Sequence, residues 1–320
     1  MRTLVTGITG FVGGHLTEHL LAEGDSVTGC SRRGAWPKQL AHLVHRTRLI
    51  RCDLCDSDQA QSLLEHETFD SIFHLAGLAS PQACLADPET ARRENVVATE
   101  NLYEAIRRSG QQPRVLFIST CYVYGQPAPS NLPVTITCPI RAEHPYAATK
   151  WAAEQISLRF AEMAKLDIIR IRPFNHTGPR QPAGYMVSDW AGQIAAIEAG
   201  KMPARLHVGN LDTRRDYSDV RDIVRAYRMI AGQPQSRGVY NVGSGVSRSG
   251  REILELLRGL SRVPWEVVED RTRMRTSEIQ EIVADTTAIR SFIGWKPEVD
   301  FKTTLADTLE YWRGLQGGNL

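Results

Sequence analysis

Apolar residues in the first 172 positions fall into short, nearly unbroken runs, each followed by a longer stretch in which they recur every three to four residues. The short runs read as strands buried on both faces, the longer stretches as amphipathic crossover helices. The pattern predicts strands at 3–6, 26–30, 48–52, 71–75, 114–119 and 168–172, and helices at 11–23, 58–65, 88–109 and 146–165. Six strands alternating with helices predict an α/β fold, a doubly wound parallel sheet whose ligand crevice lies beyond the carboxyl ends of the strands. After residue 173 the alternation gives way to loops, helices near 187–198, 222–231, 251–261 and 303–313, and one short strand at 238–242. The expected division is a cofactor-binding domain at 1–172 and a smaller C-terminal substrate-binding region at 173–320, with segments such as 238–244 returning to the first sheet. No linker rich in Gly, Ser or Pro separates the two, so they are expected to pack as one unit around a cleft.

Composition removes several classes. The 320 residues are 42% apolar and 23% charged, which excludes a disordered or collagen-like chain. A net charge of +2 argues against a nucleic-acid binder held by a global positive field, although the basic side is lopsided, with six lysines against 32 arginines. Six cysteines are too few for a disulfide framework, and the N-terminus has neither a basic leader region nor an apolar signal segment. A reduced, cytoplasmic protein is expected. Cys52 and Cys55 form one C-x-x-C with no second pair or neighbouring histidines, so no metal site is expected. The 26-residue uncharged run at 115–140 contains Gly125, Pro127, Pro129, Pro133 and Pro139 and cannot be one membrane helix.

Candidate chemistry lies at the predicted strand ends. Directly after the first strand comes Gly7-Ile8-Thr9-Gly10-Phe11-Val12-Gly13, then a helix. Glycines in a tight strand-to-helix turn let a pyrophosphate approach the backbone amides and the positive helix end, and here their spacing is G-x-x-G-x-x-G. An acidic residue closing the second strand would bind the 2′-hydroxyl of NAD. This chain instead offers Ser31, Arg32 and Arg33, and no carboxylate before Asp53. Two guanidinium groups suit a 2′-phosphate, so the predicted cofactor is NADP(H). Asp53 and Leu54 would face the adenine, and Leu75, Ala76 and Gly77 would keep the chain close to the cofactor, while His74 reads as a core residue.

The fifth strand ends at Ser119-Thr120, and 26 residues past Thr120 comes Tyr146, with Lys150 four residues further on. Residues four apart share a helix face, so Tyr146 and Lys150 point to one place. A phenol titrates near pH 10, and a neighbouring ammonium together with an oxidised nicotinamide would lower that value, making Tyr146 a usable acid or base.

With these residues the chain resembles the extended short-chain dehydrogenase/reductase family of nucleotide-sugar enzymes, whose cofactor domain is Rossmann-like. The resemblance runs over essentially the whole chain and includes Glu94-Asn95-Val96, Arg172-Pro173-Phe174-Asn175 and Gly294-Trp295-Lys296-Pro297. It implies Tyr146 as proton donor or acceptor at the sugar oxygen, Lys150 on the nicotinamide ribose and on Tyr146, and Thr120 as a hydroxyl bound to that oxygen. Asn95 and Pro173 join the cofactor-binding set. Members that dehydrate sugars carry one or two acidic residues just after the hydroxyl position, where this chain has Cys121 and Tyr122, so a 4,6-dehydratase is not expected. Motifs around Asn175 to Gln181, Arg215 to Asp222 and Arg275 to Glu278 resemble the branch that reduces GDP-linked 4-keto-6-deoxy sugars. That resemblance implies Asn175, Arg180, Arg215 and Arg275 as substrate-binding residues, with the diphosphate held by Asn175, Arg215 and Arg275 and the nucleotide ribose by Glu278. Thr276 stands where members usually have proline. It also implies a homodimer paired through the helices near 88–109 and 146–165. The expected activity is NADPH-dependent reduction at C4 of a GDP-linked ketosugar. The alternatives are a nucleotide-sugar 4-epimerase that retains NAD and a non-catalytic NADP(H)-binding regulatory protein, the latter disfavoured by the intact Thr120, Tyr146 and Lys150.

Overall fold

The computed structural model describes residues 1–233, 237–274 and 279–318. Strands β1 (Arg2–Thr6), β2 (Ser26–Ser31), β3 (Arg48–Arg51), β4 (Ser71–His74), β5 (Arg114–Ile118) and β6 (Ile168–Pro173) form where the apolar runs predict them. Between them run α1 (Phe11–Ala22), α2 (Ser57–Glu65), α3 (Pro81–Ala86), α4 (Pro88–Arg92), α5 (Ala98–Ser109) and α6 (Pro145–Met163). Beyond β6 come β7 (Asn175–Thr177), α7 (Met186–Glu198), β8 (Arg205–Val208), β9 (Arg214–Asp219), α8 (Val220–Ala231) and β10 (Gly238–Val242). The chain continues through β11 (Ser247–Ser249), α9 (Gly250–Arg258), β12 (Glu266–Glu269), β13 (Glu281–Ile282), α10 (Thr287–Ile293) and α11 (Phe301–Gln316).

Seven parallel strands make one sheet in the order β10-β6-β5-β4-β1-β2-β3. The order reverses between β1 and β4, which opens the ligand crevice of a doubly wound sheet at their carboxyl ends. One face is covered by Leu63, Leu102, Ile106 and Ala153 from α2, α5 and α6. The other is covered by Leu16 and Leu20 of α1 with Ile223, Tyr227 and Ile230 of α8. Thus α8, β10 and the buried Trp295 complete the cofactor sheet although they follow residue 173. A separate core of Trp190, Ile194, Leu206, Leu254 and Leu305 holds α7, β8, α9 and α11 together as the smaller part.

Two departures from the sequence pattern bear on the site. The predicted helix at 88–109 is interrupted: α4, with Pro88 in its first turn and Asp87 capping it, passes into a π turn at Arg93–Val97 before α5 begins. The wide turn inserts a residue and re-aims its side chains, as such bulges do near functional sites. The strands β7 to β9 and β11 to β13 were not predicted, because they span two to six residues and find their partners far along the chain, β7 on β9 and β12 on β8. Among the described residues, no helix is long and apolar enough to cross a membrane.

Candidate active site

The glycine turn is tight because nothing larger fits. Gly7 has φ of +70°, and a Cβ there would lie 2.9 Å from the Ala76 amide nitrogen. A Cβ on Gly13 would come within 2.3 Å of the Gly7 carbonyl oxygen and 2.8 Å of Ile8 Cα. Helix α1 follows Gly10 with no side-chain cap, and Phe11 and Val12 are its first residues, so first-turn amides are left for an outside acceptor. This is a cradle of the shape and polarity that a pyrophosphate takes. Opposite it, the Ala76 N–H donates to Thr6 Oγ1 at 3.1 Å, Leu75 packs against the α1 side of the core, and Gly77 is backed by Asn95. Buried Asn95 accepts from the Leu78 N–H at 2.8 Å and donates to Thr149 Oγ1 at 3.0 Å, joining the loop after β4 to helix α6. His74 has both ring nitrogens bonded, to Thr6 and Thr99, and burial pulls its pKa down to about 3, so it is a neutral core residue, in line with its sequence reading.

At the ribose end, Ser31 Oγ accepts the Gly34 N–H, Arg32 forms an ion pair with Glu94, and Arg33 lies exposed next to Arg32. Asp53 accepts the Cys55 N–H at 3.0 Å, and Leu54 is buried beneath it. Cys55 in turn meets the Arg93 carbonyl, so the ends of β2 and β3 and the π turn come together here.

Thr120 leaves β5 and caps the short turn Cys121–Tyr124, its hydroxyl accepting the Tyr122 N–H. The same hydroxyl acts on the Tyr146 phenol. Pro145 opens α6, and His144 Nδ1 accepts the Tyr146 N–H at 3.2 Å, which fixes where Tyr146 and Lys150 emerge. Tyr122 packs edge-on against Tyr146 with ring centres 6.1 Å apart. Burial pushes the phenol well above its usual titration range, the Thr120 hydroxyl opposes this, and Tyr185, Cys121 and Tyr122 add to it. Lys150 is buried with Nζ 4.9 Å from the centre of the Phe117 ring, and burial lowers its pKa to about 8 against the counter-pull of Glu154 and Cys84. In the protein by itself the phenol moves up rather than down, whereas the expected lowering involves the oxidised nicotinamide as well as the Lys150 ammonium. Desolvation dominates at both groups and moves them in opposite senses.

On the substrate side, Asn175 opens β7 with its Oδ1 buried and, among the described residues, without a hydrogen-bond partner. Pro173, the last residue of β6, pairs with Val242. Arg215 is buried on β9, donates to the Arg214 carbonyl at 2.9 Å, and its charge acts on Cys121 beside Thr120. Arg180, expected among the substrate-binding residues, places its guanidinium on Glu18 of α1 with two 2.6 Å contacts and also meets His15 Nδ1, tying the smaller part to the cofactor domain. Arg275 and Glu278 lie outside the described residues.

Sequence reading missed Glu94, Tyr122 as a neighbour of Tyr146, and Glu154. Only Glu154 had a local signal, four residues past Lys150 on the same helix face.

A glycine cradle at the switch point of a doubly wound sheet, with a hydroxyl, a phenol and an ammonium at the adjoining strand end and helix, defines an NAD(P)-dependent oxidoreductase of the extended short-chain dehydrogenase/reductase type. The family model for GDP-mannose 4,6 dehydratase matches residues 4–308, and the chain belongs to that family. The GDP-6-deoxy-D-mannose reductase of Pseudomonas aeruginosa is 34% identical over 311 residues, 97% of each chain. The UDP-glucose 4-epimerase of Mycolicibacterium smegmatis is 33% identical, covering 98% of this chain and 99% of that one. The solved structure of RMD from Pseudomonas aeruginosa complexed with NADPH superposes with a TM-score of 0.85 at 32% identity, covering 98% of this chain and 100% of that one.

Proposed function

We propose that the chain reduces the C4 keto group of GDP-4-keto-6-deoxy-D-mannose to give GDP-D-rhamnose, with NADPH as reductant. The observation that carries this reading is the strand end beside the Tyr146 phenol, where Thr120 is followed by Cys121 and by Tyr122, whose ring packs on Tyr146, and not by a carboxylate. Dehydration needs a carboxylic acid/base beside the sugar; ketone reduction needs only a proton donor and an oxygen-binding hydroxyl. The similarity to a GDP-6-deoxy-D-mannose reductase and to an NADPH complex supports the same choice of sugar and cofactor. The homodimer implied by the resemblance, built through faces of α5 and α6, belongs to this proposal.

The glycine cradle and the first turn of α1 would hold the pyrophosphate, Arg32 and Arg33 the 2′-phosphate, and Lys150 the nicotinamide ribose. When bound, NADPH supplies the hydride that arrives at C4. The Thr120 hydroxyl holds the C4 oxygen. Tyr146 then donates its phenolic proton to that oxygen as negative charge develops there, and the raised proton affinity of the phenol keeps it in the donor form at neutral pH. Arg215 and the side-chain NH2 of Asn175 would donate to the sugar diphosphate, which aligns C4 with the reacting edge.

The test is incubation with GDP-4-keto-6-deoxymannose and either NADPH or NADH, with the sugar product identified by NMR. GDP-rhamnose formed with stoichiometric NADPH consumption is expected. Interconversion of C4 epimers by enzyme that retains nicotinamide after desalting, with no net NADPH use, overturns the reading in favour of an epimerase.

A further inference from the structure

We propose that Glu94 sets the cofactor preference of the site by competing with the 2′-phosphate for Arg32. This rests on the NADP(H) reading above and deepens it. The end of β2, where nicotinamide enzymes of this fold usually declare their preference, carries Ser31, Arg32 and Arg33 and no acid. The structure brings an acid there from elsewhere. Glu94 stands on the π turn at Arg93–Val97, and its Oε1 meets Arg32 Nη1 across 62 positions of sequence.

The two partners are not equivalent. Glu94 is largely buried, with 11% of its side chain exposed, whereas Arg32 is 56% exposed. The next residue, Asn95, is locked by its bonds to Leu78 and Thr149, so the turn that carries Glu94 cannot shift without disturbing α6. The carboxylate is the fixed member of the pair and the guanidinium the mobile one. Contact is made through Nη1, which leaves the rest of the Arg32 fork available to a second acceptor.

A 2′-phosphate thus meets an arginine whose charge is already offset, with a fixed carboxylate close by. A ribose with a free 2′-hydroxyl meets the reverse, an acceptor in place. Glu94 restrains affinity for the phosphorylated cofactor and supports the non-phosphorylated one. Consecutive residues of the π turn thus meet two partners, Glu94 at Arg32 and Asn95 at Thr149 of α6.

Calorimetric titration of the purified protein with NADP+ and with NAD+, without substrate, tests the proposal. Glu94→Gln is expected to bind NADP+ about threefold to tenfold more tightly, with NAD+ unchanged or weaker. The gain is expected to shrink as salt rises from about 0.05 M to about 0.5 M. It is also expected to vanish in an Arg32→Gln background, because it acts through that guanidinium. Unchanged or weaker NADP+ binding, an equal shift for both cofactors, or a gain that survives Arg32→Gln overturns the proposal. Wild-type protein that prefers NAD+ would refute the cofactor reading instead, while the ratio of Glu94→Gln to wild type still decides the role of Glu94.

Discussion

Glu154 and Arg172 form an ion pair sealed from solvent one helical turn beyond Lys150, with Arg172 Nη2 2.8 Å from Glu154 Oε1. Ser119 donates to the same carboxylate at 3.0 Å, Arg172 donates to the Tyr124 hydroxyl at 2.8 Å, and Tyr124 donates to Asn241 at 2.7 Å. The chain of contacts joins β5, α6, β6 and β10 at the edge from which Thr120 projects. Replacing Glu154 by Gln leaves a buried guanidinium uncompensated and is expected to cost about 3–5 kcal/mol of stability, read as a shift in the urea midpoint at constant slope. The double variant Glu154→Leu with Arg172→Met removes both charges and is expected to lose much less. Equal losses in the two variants would show that the pair is not what holds this corner.

Tyr146→Phe removes the proton proposed to be donated while keeping the ring that packs on Tyr122. A fall in turnover of about 10²–10⁴-fold is expected, with melting temperature unchanged. Near-normal NADPH oxidation with the ketosugar would refute the assignment of Tyr146 as donor.

Lys150 is charged at neutral pH at a cost, because burial lowers its pKa from 10.5 to about 8. Below pH 8 both folded and unfolded chains bind the proton and the cost is complete; between 8 and 10.5 only the unfolded chain binds it; above 10.5 neither does and the cost is gone. Lys150→Met is therefore expected to be inactive yet more stable than wild type at pH 7, by up to about 3 kcal/mol. That advantage is expected to fade by pH 10.5 in paired denaturant melts. A destabilised variant at pH 7 would show that the ammonium's contacts, including the Phe117 face, outweigh its desolvation.

His74 behaves in the opposite pH range. Its folded pKa of about 3 lies below the ordinary 6.5, so the unfolded chain takes up a proton that the folded chain refuses, and stability is lost as pH falls from 6.5 towards 3. His74→Gln is expected to flatten the acid limb of the stability profile between about pH 6 and 4. An acid limb of unchanged slope would assign acid lability to other groups.

Gly13→Ala places a methyl 2.3 Å from the Gly7 carbonyl oxygen, a backbone atom that cannot move aside alone. Loss of calorimetrically detectable NADP+ binding is expected, with destabilisation of about 1–3 kcal/mol. Retained cofactor affinity would mean that the turn adapts and that the cradle lies elsewhere.

Much of the fold was legible because its signals are local. Buried parallel strands are unbroken apolar runs, and Gly7, Gly10 and Gly13 mark a turn whose geometry depends on neighbouring residues. The positions of Thr120, Tyr146 and Lys150 follow from where β5 ends and how α6 turns. The substrate side was less legible. The short strands β7, β9, β11 and β13 exist only through one another, and the pairing of Arg180, one arginine among 32, with Glu18 of α1 has no local signal.

By itself the sequence determined the doubly wound sheet, the glycine turn and the placing of the Thr120 hydroxyl, the Tyr146 phenol and the Lys150 ammonium, since periodicity and spacing within one element specify them. Tertiary structure alone decided which charges meet: Glu94 with Arg32, Glu154 with Arg172, Glu18 with Arg180. It also decided that Tyr146 and Lys150 are governed by desolvation. Charge pairing and burial depend on distances across elements far apart in the chain, and no periodicity along a sequence encodes those distances.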